Sequence, residues 1–204
     1  MTRKAISLYM AATCAIAIVA PGRLVCGLII AVELQFLMLF GLLFKAFLRK
    51  IKLDNLTQPL MLCFAVYFTI MFKQLLMLIM PELALQLSFV LYLPTISTFT
   101  TVFLLEETPM TLKESMKKDL PVSFHFEVYI IMVSFLRDVL GYGTLTLPFA
   151  DAQLEYVLFS SERISATSFL ATIPGSLVLN ALLLSLYLFI EKKGAILKKA
   201  GLLK

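Results

Sequence analysis

Charge and acid–base chemistry are scarce in this chain. Asp, Glu, Lys and Arg make up only 15% of its 204 residues, and it has one histidine and three cysteines. Soluble domains carry about a quarter charged residues. The single histidine, His125, leaves little room for acid–base catalysis. There is no Gly-rich phosphate loop, no serine-triad pattern and no HExxH pattern, which sets aside the common chemistries of soluble enzymes. Cys14, Cys26 and Cys63 are too few and too scattered for a self-contained zinc or iron–sulfur site, which takes four ligands. Their spacing alone reads as small apolar core residues. No low-complexity stretch or linker to a separate domain occurs.

What is present is apolar. The chain is 60% hydrophobic with a mean hydropathy of +0.94. About 20 apolar residues are needed to cross the hydrocarbon core as a helix. Six stretches are long enough to cross or nearly cross: Ala5–Ala20, Leu24–Leu48, Pro59–Met80, Leu83–Leu105, Leu120–Leu140 and Phe169–Ile190. The first is short and ends at Pro21-Gly22, and the fourth is interrupted at Pro94. The runs are too long for strands and lack the alternation of a barrel. The expectation is an all-α membrane protein of six transmembrane helices, a single integral membrane domain over 1–204.

The net charge of +5 invites a nucleic-acid reading, but its distribution argues against one. With the N-terminus inside, Arg3, Lys4, Lys45, Arg49, Lys50, Lys52, Lys113, Lys117, Lys118, Lys192, Lys193, Lys198, Lys199 and Lys204 all fall on the inner side. The outer segments hold Arg23, Arg137 and Arg163, and Lys73 lies within a span. Such a bias sets orientation during insertion, so both termini are expected in the cytoplasm, with the basic loops against anionic head groups. The N-terminal stretch, Arg3-Lys4 followed by an apolar run, also resembles a signal peptide. Retaining it gives an even helix count and a consistent charge pattern, and that is the reading adopted.

The six spans divide into two threes, with halves near 1–81 and 82–204. Three is odd, so the second half enters from the opposite side and an inverted repeat follows. In such folds interrupted helices at matching positions point to the working site. Here these are helix 1, broken between Cys14 and Pro21-Gly22, and helix 4, broken from Pro94 to Thr101. Backbone groups freed by a break must be satisfied by protein or water, so the breaks are expected to face other helices. Thr95, Ser97, Thr98, Thr100 and Thr101 give helix 4 a hydroxyl-rich half. Capping of freed backbone is the role expected for them, and lining a cation path is the alternative.

Ionisable residues within spans are costly and default to functional hypotheses. Glu33 lies well inside helix 2, Lys73 in helix 3, His125 and Glu127 open helix 5, and Arg137-Asp138 close it. Lys73, Arg137 and Asp138 have an ordinary explanation in snorkelling or pairing at helix ends, and His125 and Glu127 in the inner interface. Glu33 is the sharpest case, either an ion- or proton-handling carboxylate or a buried structural partner.

At helix 5, Leu136-Arg137-Asp138-Val139-Leu140-Gly141-Tyr142-Gly143-Thr144-Leu145 resembles the L-R-[ED]-x-[IL]-G-x-G-[ST]-[LF] signature of the Rnf/Nqr integral membrane subunits. These are the A and E subunits of the Rnf electron transport complex and the D and E subunits of sodium-translocating NADH:quinone reductase. Leu91-Tyr92-Leu93-Pro94 with its Thr-rich continuation resembles the family's helix 4. Ile173-Pro174-Gly175-Ser176 resembles the opening of its helix 6, and Ile190-Glu191-Lys192-Lys193 its basic ending. The resemblance covers most of the chain and is most specific at helix 5.

The resemblance implies two inverted three-helix repeats and a homologous six-helix partner subunit of opposite topology, within a complex that also has flavin-bearing subunits. It implies an iron–sulfur cluster shared with that partner, held by one cysteine from each broken helix. Electrons cross the membrane there, coupled to Na⁺ or H⁺ movement, and this subunit binds no nicotinamide. Cys14 matches the first cysteine position. The second, six residues after the helix-4 proline, is Thr100 following Phe99, and a threonine hydroxyl is a poor iron ligand beside a thiolate. The expected roles are therefore Cys14 as a metal ligand, Glu33, Arg137 and Asp138 in ion coupling or subunit pairing, and Pro94 and Thr100 at the helix-4 break. The expected location is a bacterial inner (plasma) membrane. The alternative is a six-helix small-solute transporter module, or a structural subunit, without a redox role.

Overall fold

The computed structural model describes residues 14–53, 56–99, 112–148, 153–158 and 168–199. Most of these are helical. Helix α1 covers 14–19 and ends before Pro21. Helix α2 (Leu24–Lys50) is continuous. A turn leads to α3 (Thr57–Ile79), which runs back along α2 with Phe44 stacked on Phe64 at 4.3 Å and Phe40 beside Phe68 at 5.5 Å. Met80 is extended, as the residue before a proline prefers. Pro81 then opens the short α4 (Pro81–Gln86), where its missing N–H costs nothing. Residues 87–91 form turns before α5 (Tyr92–Thr98), which carries Pro94 in its first turn.

Helix α6 (Leu112–Arg137) passes into a π-helical turn over Asp138–Tyr142, closed by Gly143. Gly143 has φ +66°, a conformation that costs glycine little and a β-branched residue much. An antiparallel hairpin follows, β1 (Thr144–Pro148) with β2 (Gln153–Val157), pairing Thr146 with Glu155. A 3₁₀ turn (Ser168–Ala171) leads into α7 (Ile173–Lys199).

Helices α2 and α6 are antiparallel along their length. Leu24 meets Asp138 at one end, Gly27 faces Ser134, and Met38 and Leu42 share a core cluster with Phe126. The crossing depends on Gly27. A Cβ there would lie 2.4 Å from Ser134 Oγ, so the lack of a side chain sets how closely the helices approach. A second cluster joins Ile16 and Ala20 of the first interruption with Leu83, Ala84, Leu87, Val90 and Leu91 of the second, against Val25, Ile30 and Leu34 of α2. Both interruptions therefore pack against protein.

Among the described residues three helices are long and apolar enough to cross a membrane: Leu24–Lys50, Thr57–Ile79 and Lys113–Tyr142. The sixth expected span is apolar over Ile173–Leu186. Most of the first, and the end of the fourth with Thr100, lie outside the described residues, and the described part of the fourth is the two short helices α4 and α5. Only Met61, Ala65, Thr69 and Leu76 of α3 are buried, while Leu62, Tyr67, Leu75 and Leu78 are exposed. An apolar face of that size is unfavourable in water and suits lipid, so the fold is that of a membrane-associated helical protein.

Two expectations are corrected. The fold is not purely helical, because the loop after helix 5 forms the hairpin, with five-residue strands too short to register in a search for spans. Helix 5 was expected from Leu120, yet α6 starts at Leu112. Nothing in Leu112–Asp119 breaks a helix, and Glu114 in the first turn complements the helix dipole. The basic residues do gather at one end. Arg49 and Lys50 close α2, and Lys113 and Lys117 lie near the start of α6. Helix α7 starts beside α1 and carries Lys192, Lys193, Lys198 and Lys199 toward the same end. The hairpin and the first interruption occupy the other end.

Candidate functional site

Polar side chains converge at three places within the apolar fold. The first is the interruption between α1 and α2, where the last carbonyls of one helix and the first N–H groups of the next lose their helical partners. Arg137, 2% exposed, donates from Nη1 to the carbonyls of Ala17 (3.0 Å) and Ala20 (2.6 Å), and from Nη2 to that of Ala171 (3.0 Å). Asp138, fully buried, accepts at Oδ2 from Leu24 N–H (3.2 Å), Thr146 N–H (2.8 Å) and Thr146 Oγ1 (2.7 Å), and at Oδ1 from Thr144 Oγ1 (3.0 Å). Val25 N–H reaches Thr146 Oγ1 at 3.4 Å. The cation thus lies at a helix C-terminus and the anion at a helix N-terminus, each on the favourable side of a helix dipole. Arg137 and Asp138, singled out for ion coupling or subunit pairing, here bond within their own chain: Arg137 Nη1 and Nη2 to backbone carbonyls, with Nε unpartnered, and Asp138 to two backbone N–H groups and two threonine hydroxyls. The hairpin supplies part of this cap. It is tied down by an ion pair between Arg23 and Glu155, and Arg23 also lies over the Tyr142 ring.

The second is a chain of hydrogen bonds linking α1, α6 and α7. Cys14 Sγ reaches the Tyr129 hydroxyl at 3.8 Å, and Tyr129 donates to Asn180 Oδ1 at 2.8 Å. Asn180 Nδ2 donates to the Ser176 carbonyl at 2.8 Å, and the Ser176 hydroxyl lies within reach of the Ile18 (3.1 Å) and Ile173 (2.7 Å) carbonyls. Cys26 is fully buried in α2 and Cys63 is exposed on α3. Among the described residues no three His, Cys, Asp or Glu side chains come together as a metal site. The cluster implied by the family resemblance would draw one thiolate, Cys14, from these residues, and the other three would have to come from a partner. The described residues alone do not fit a four-thiolate cluster.

The third lies beside the second interruption. Glu33 is fully buried in α2, and neither carboxylate oxygen has a well-formed hydrogen bond. Counting from Leu24 at 1.5 Å per residue, it sits about 14 Å along the helix, near the middle of a hydrocarbon core roughly 30 Å thick. Thr69 is a buried polar residue of the neighbouring helix α3. Thr69 Oγ1 donates to the Ala65 carbonyl at 3.1 Å and also bonds the Thr95 hydroxyl of α5. Thr98, one turn further along α5, is fully buried with its hydroxyl unpartnered. The capping role expected of the helix-4 hydroxyls is not the one these two take: Thr95 turns to another hydroxyl and Thr98 to none. Glu33, Thr69 and Thr95 come from three different helices, and Thr95 follows Pro94 directly.

Of the remaining expected residues, Glu127 is buried and accepts from Ser123 Oγ at 3.0 Å, while exposed His125 bonds the Pro121 carbonyl through Nδ1 at 2.6 Å. Sequence reading passed over Thr69, Tyr129, Thr146 and Asn180. The available signal was their polarity in or beside apolar runs; besides bonds within their own helix, their partners lie 8 to 121 residues away. The chain matches no family model, no curated protein and no solved structure.

Proposed function

We propose that this chain is a multi-pass membrane subunit of an Rnf/Nqr-like ion-translocating electron transport complex, in which it serves the ion route. Its six spans form two inverted triplets, with both termini in the cytoplasm. The observation that carries the reading is Glu33, a fully buried carboxylate with both oxygens unpartnered, inside an apolar helix and next to an interrupted one. A buried charge without a partner is expensive, and intramembrane carboxylates mark ion and proton paths. Interrupted helices that meet in one core are the arrangement in which inverted-repeat transporters place their sites. A homologous subunit of opposite topology would complete the assembly.

In this reading Cys14 contributes a single ligand to any shared cluster, and Arg137 and Asp138 hold the first interruption in shape. A second reading is favoured by one observation: Cys14 is hydrogen-bonded to Tyr129, and among the described residues it belongs to no group of three His, Cys, Asp or Glu side chains. On that reading the module moves a small solute or ion and carries no electrons. Purification of the complex, with iron analysis, a visible spectrum and ion uptake in proteoliposomes, separates the two. The leading reading expects iron, a cluster absorbance lost in Cys14→Ala, and ion uptake lost in Glu33→Gln. Uptake without iron favours the second, and uptake unaffected by Glu33→Gln sinks both as stated.

A further inference from the structure

We propose that the exposed face of α3 is a docking surface for a second copy of this chain, paired α3 to α3 about a two-fold axis along the membrane normal. Helix α3 packs inward through Met61, Ala65, Thr69 and Leu76. On its other side Cys63, Tyr67, Ile70, Gln74 and Met77 are all exposed. Their spacing of four, three, four and three residues is the repeat that keeps one seam of a helix against a parallel neighbour. Two members of this seam, Tyr67 and Gln74, carry strong hydrogen-bonding groups.

Lipid does not satisfy those groups. Counting at 1.5 Å per residue, Tyr67 lies about 15 Å from the start of α3 and about 18 Å from its end, near the middle of a hydrocarbon core roughly 30 Å thick. Membrane tyrosines gather instead at the water boundary, where the hydroxyl is hydrated. Tyr67 is 62% exposed, and among the described residues neither its hydroxyl nor the Gln74 amide has a hydrogen-bond partner. A polar group facing hydrocarbon without a partner is costly, and Gln side chains are among those that bond across membrane helices. The occupant is therefore protein. Two copies inserted the same way stand parallel, so the two-fold axis brings each residue to its own twin at its own depth. Both groups are self-complementary: the amide has a carbonyl and two N–H donors, and the phenol both donates and accepts. An unrelated helix would need matching groups at both depths. No charge on the seam repels its twin, since Lys73 lies to one side of it.

This pairing needs α3 to lie in lipid and does not depend on the electron-transport reading. The test is disulfide cross-linking of the full-length protein in membranes of cells that express two differently tagged copies. Copper phenanthroline is expected to join the two tags in one species of twice the chain mass, and Cys63→Ser to abolish it. In the Cys63→Ser background, Ile70→Cys on the seam is expected to link, and Leu62→Cys, exposed but off the seam, is not. Gln74→Leu is expected to weaken association about 3- to 20-fold, read as energy transfer between labelled copies in lipid vesicles. Absence of a link between the tags overturns the proposal. A product joining Cys63 to a different protein also overturns it, because another subunit would then be the occupant. Equal linking at Ile70→Cys and Leu62→Cys overturns it as random collision, and association unchanged in Gln74→Leu overturns the amide pairing on which it rests. Iron content and ion uptake do not enter the test, so its failure leaves the proposed function standing, and a loss of that function leaves the pairing standing.

Discussion

Replacing Asp138 with alanine removes an acceptor that serves four donors at once. Two are backbone N–H groups, Leu24 at 3.2 Å and Thr146 at 2.8 Å, and two are the hydroxyls of Thr144 and Thr146. The hydroxyls can turn elsewhere, but the buried N–H groups cannot. An orphaned buried donor costs about 1–3 kcal/mol and a hydrogen bond to a charged group contributes about 1.5–3 kcal/mol. Removing the carboxylate also removes its own burial cost, which offsets part of the loss. The net destabilisation is about 4 kcal/mol, or a fall in melting temperature of about 10 °C for a chain of this size. Asp138→Asn keeps one oxygen for the two N–H groups and turns an NH₂ toward Thr144, which can accept. It should cost about 1–2 kcal/mol. Thermal unfolding in detergent, followed by size-exclusion of the fluorescently tagged protein, gives the order wild type, Asn, Ala. Equal losses for Asn and Ala, or none for Ala, would refute the capping argument.

Gly27→Ala should cost about 1–3 kcal/mol, because its Cβ would overlap Ser134; pairing it with Ser134→Gly should restore most of the loss in the same assay. Arg23→Ala should change stability by less than about 1 kcal/mol, since its ion pair with Glu155 is partly exposed, and the small effect should shrink further in high salt. Thr146→Val should cost about 1 kcal/mol, less than Asp138→Ala, because Asp138 keeps the remaining N–H donors. Glu33→Gln should leave stability within about 1 kcal/mol of wild type, because it exchanges an unpartnered buried carboxyl for an amide of the same size, while ion uptake by the reconstituted complex is lost.

Length and hydropathy located the helices well where burial is simple. Helices α2 and α3 fall within two residues of the expected spans, since an apolar run of that length has few other options in lipid. The stop at Pro21-Gly22 was legible from proline chemistry alone, but the break expected from Pro94 to Thr101 lies at 87–91, with Pro94 held in the first turn of α5. The hairpin was missed although Thr144–Pro148 is a short strand beside a glycine; a window sized for membrane spans averages such a strand away. The site was only half legible. Glu33, Arg137 and Asp138 stand out as ionisable residues in apolar surroundings. Their roles depend on what folding alone brings near: the ends of α1 and α2 for the Arg–Asp pair, and for Glu33 a buried setting that leaves both its oxygens unpartnered. Periodicity within one helix carries no information about those meetings.

The central claim is that the hairpin and first interruption lie at one membrane face and the basic helix ends at the other. Single cysteines placed at Val157 in the hairpin and at Lys52 after α2, with the native cysteines replaced, test it through a membrane-impermeant thiol reagent on intact cells. The account predicts labelling of Val157→Cys at once and of Lys52→Cys only after permeabilisation. Labelling of both from the same side would contradict it.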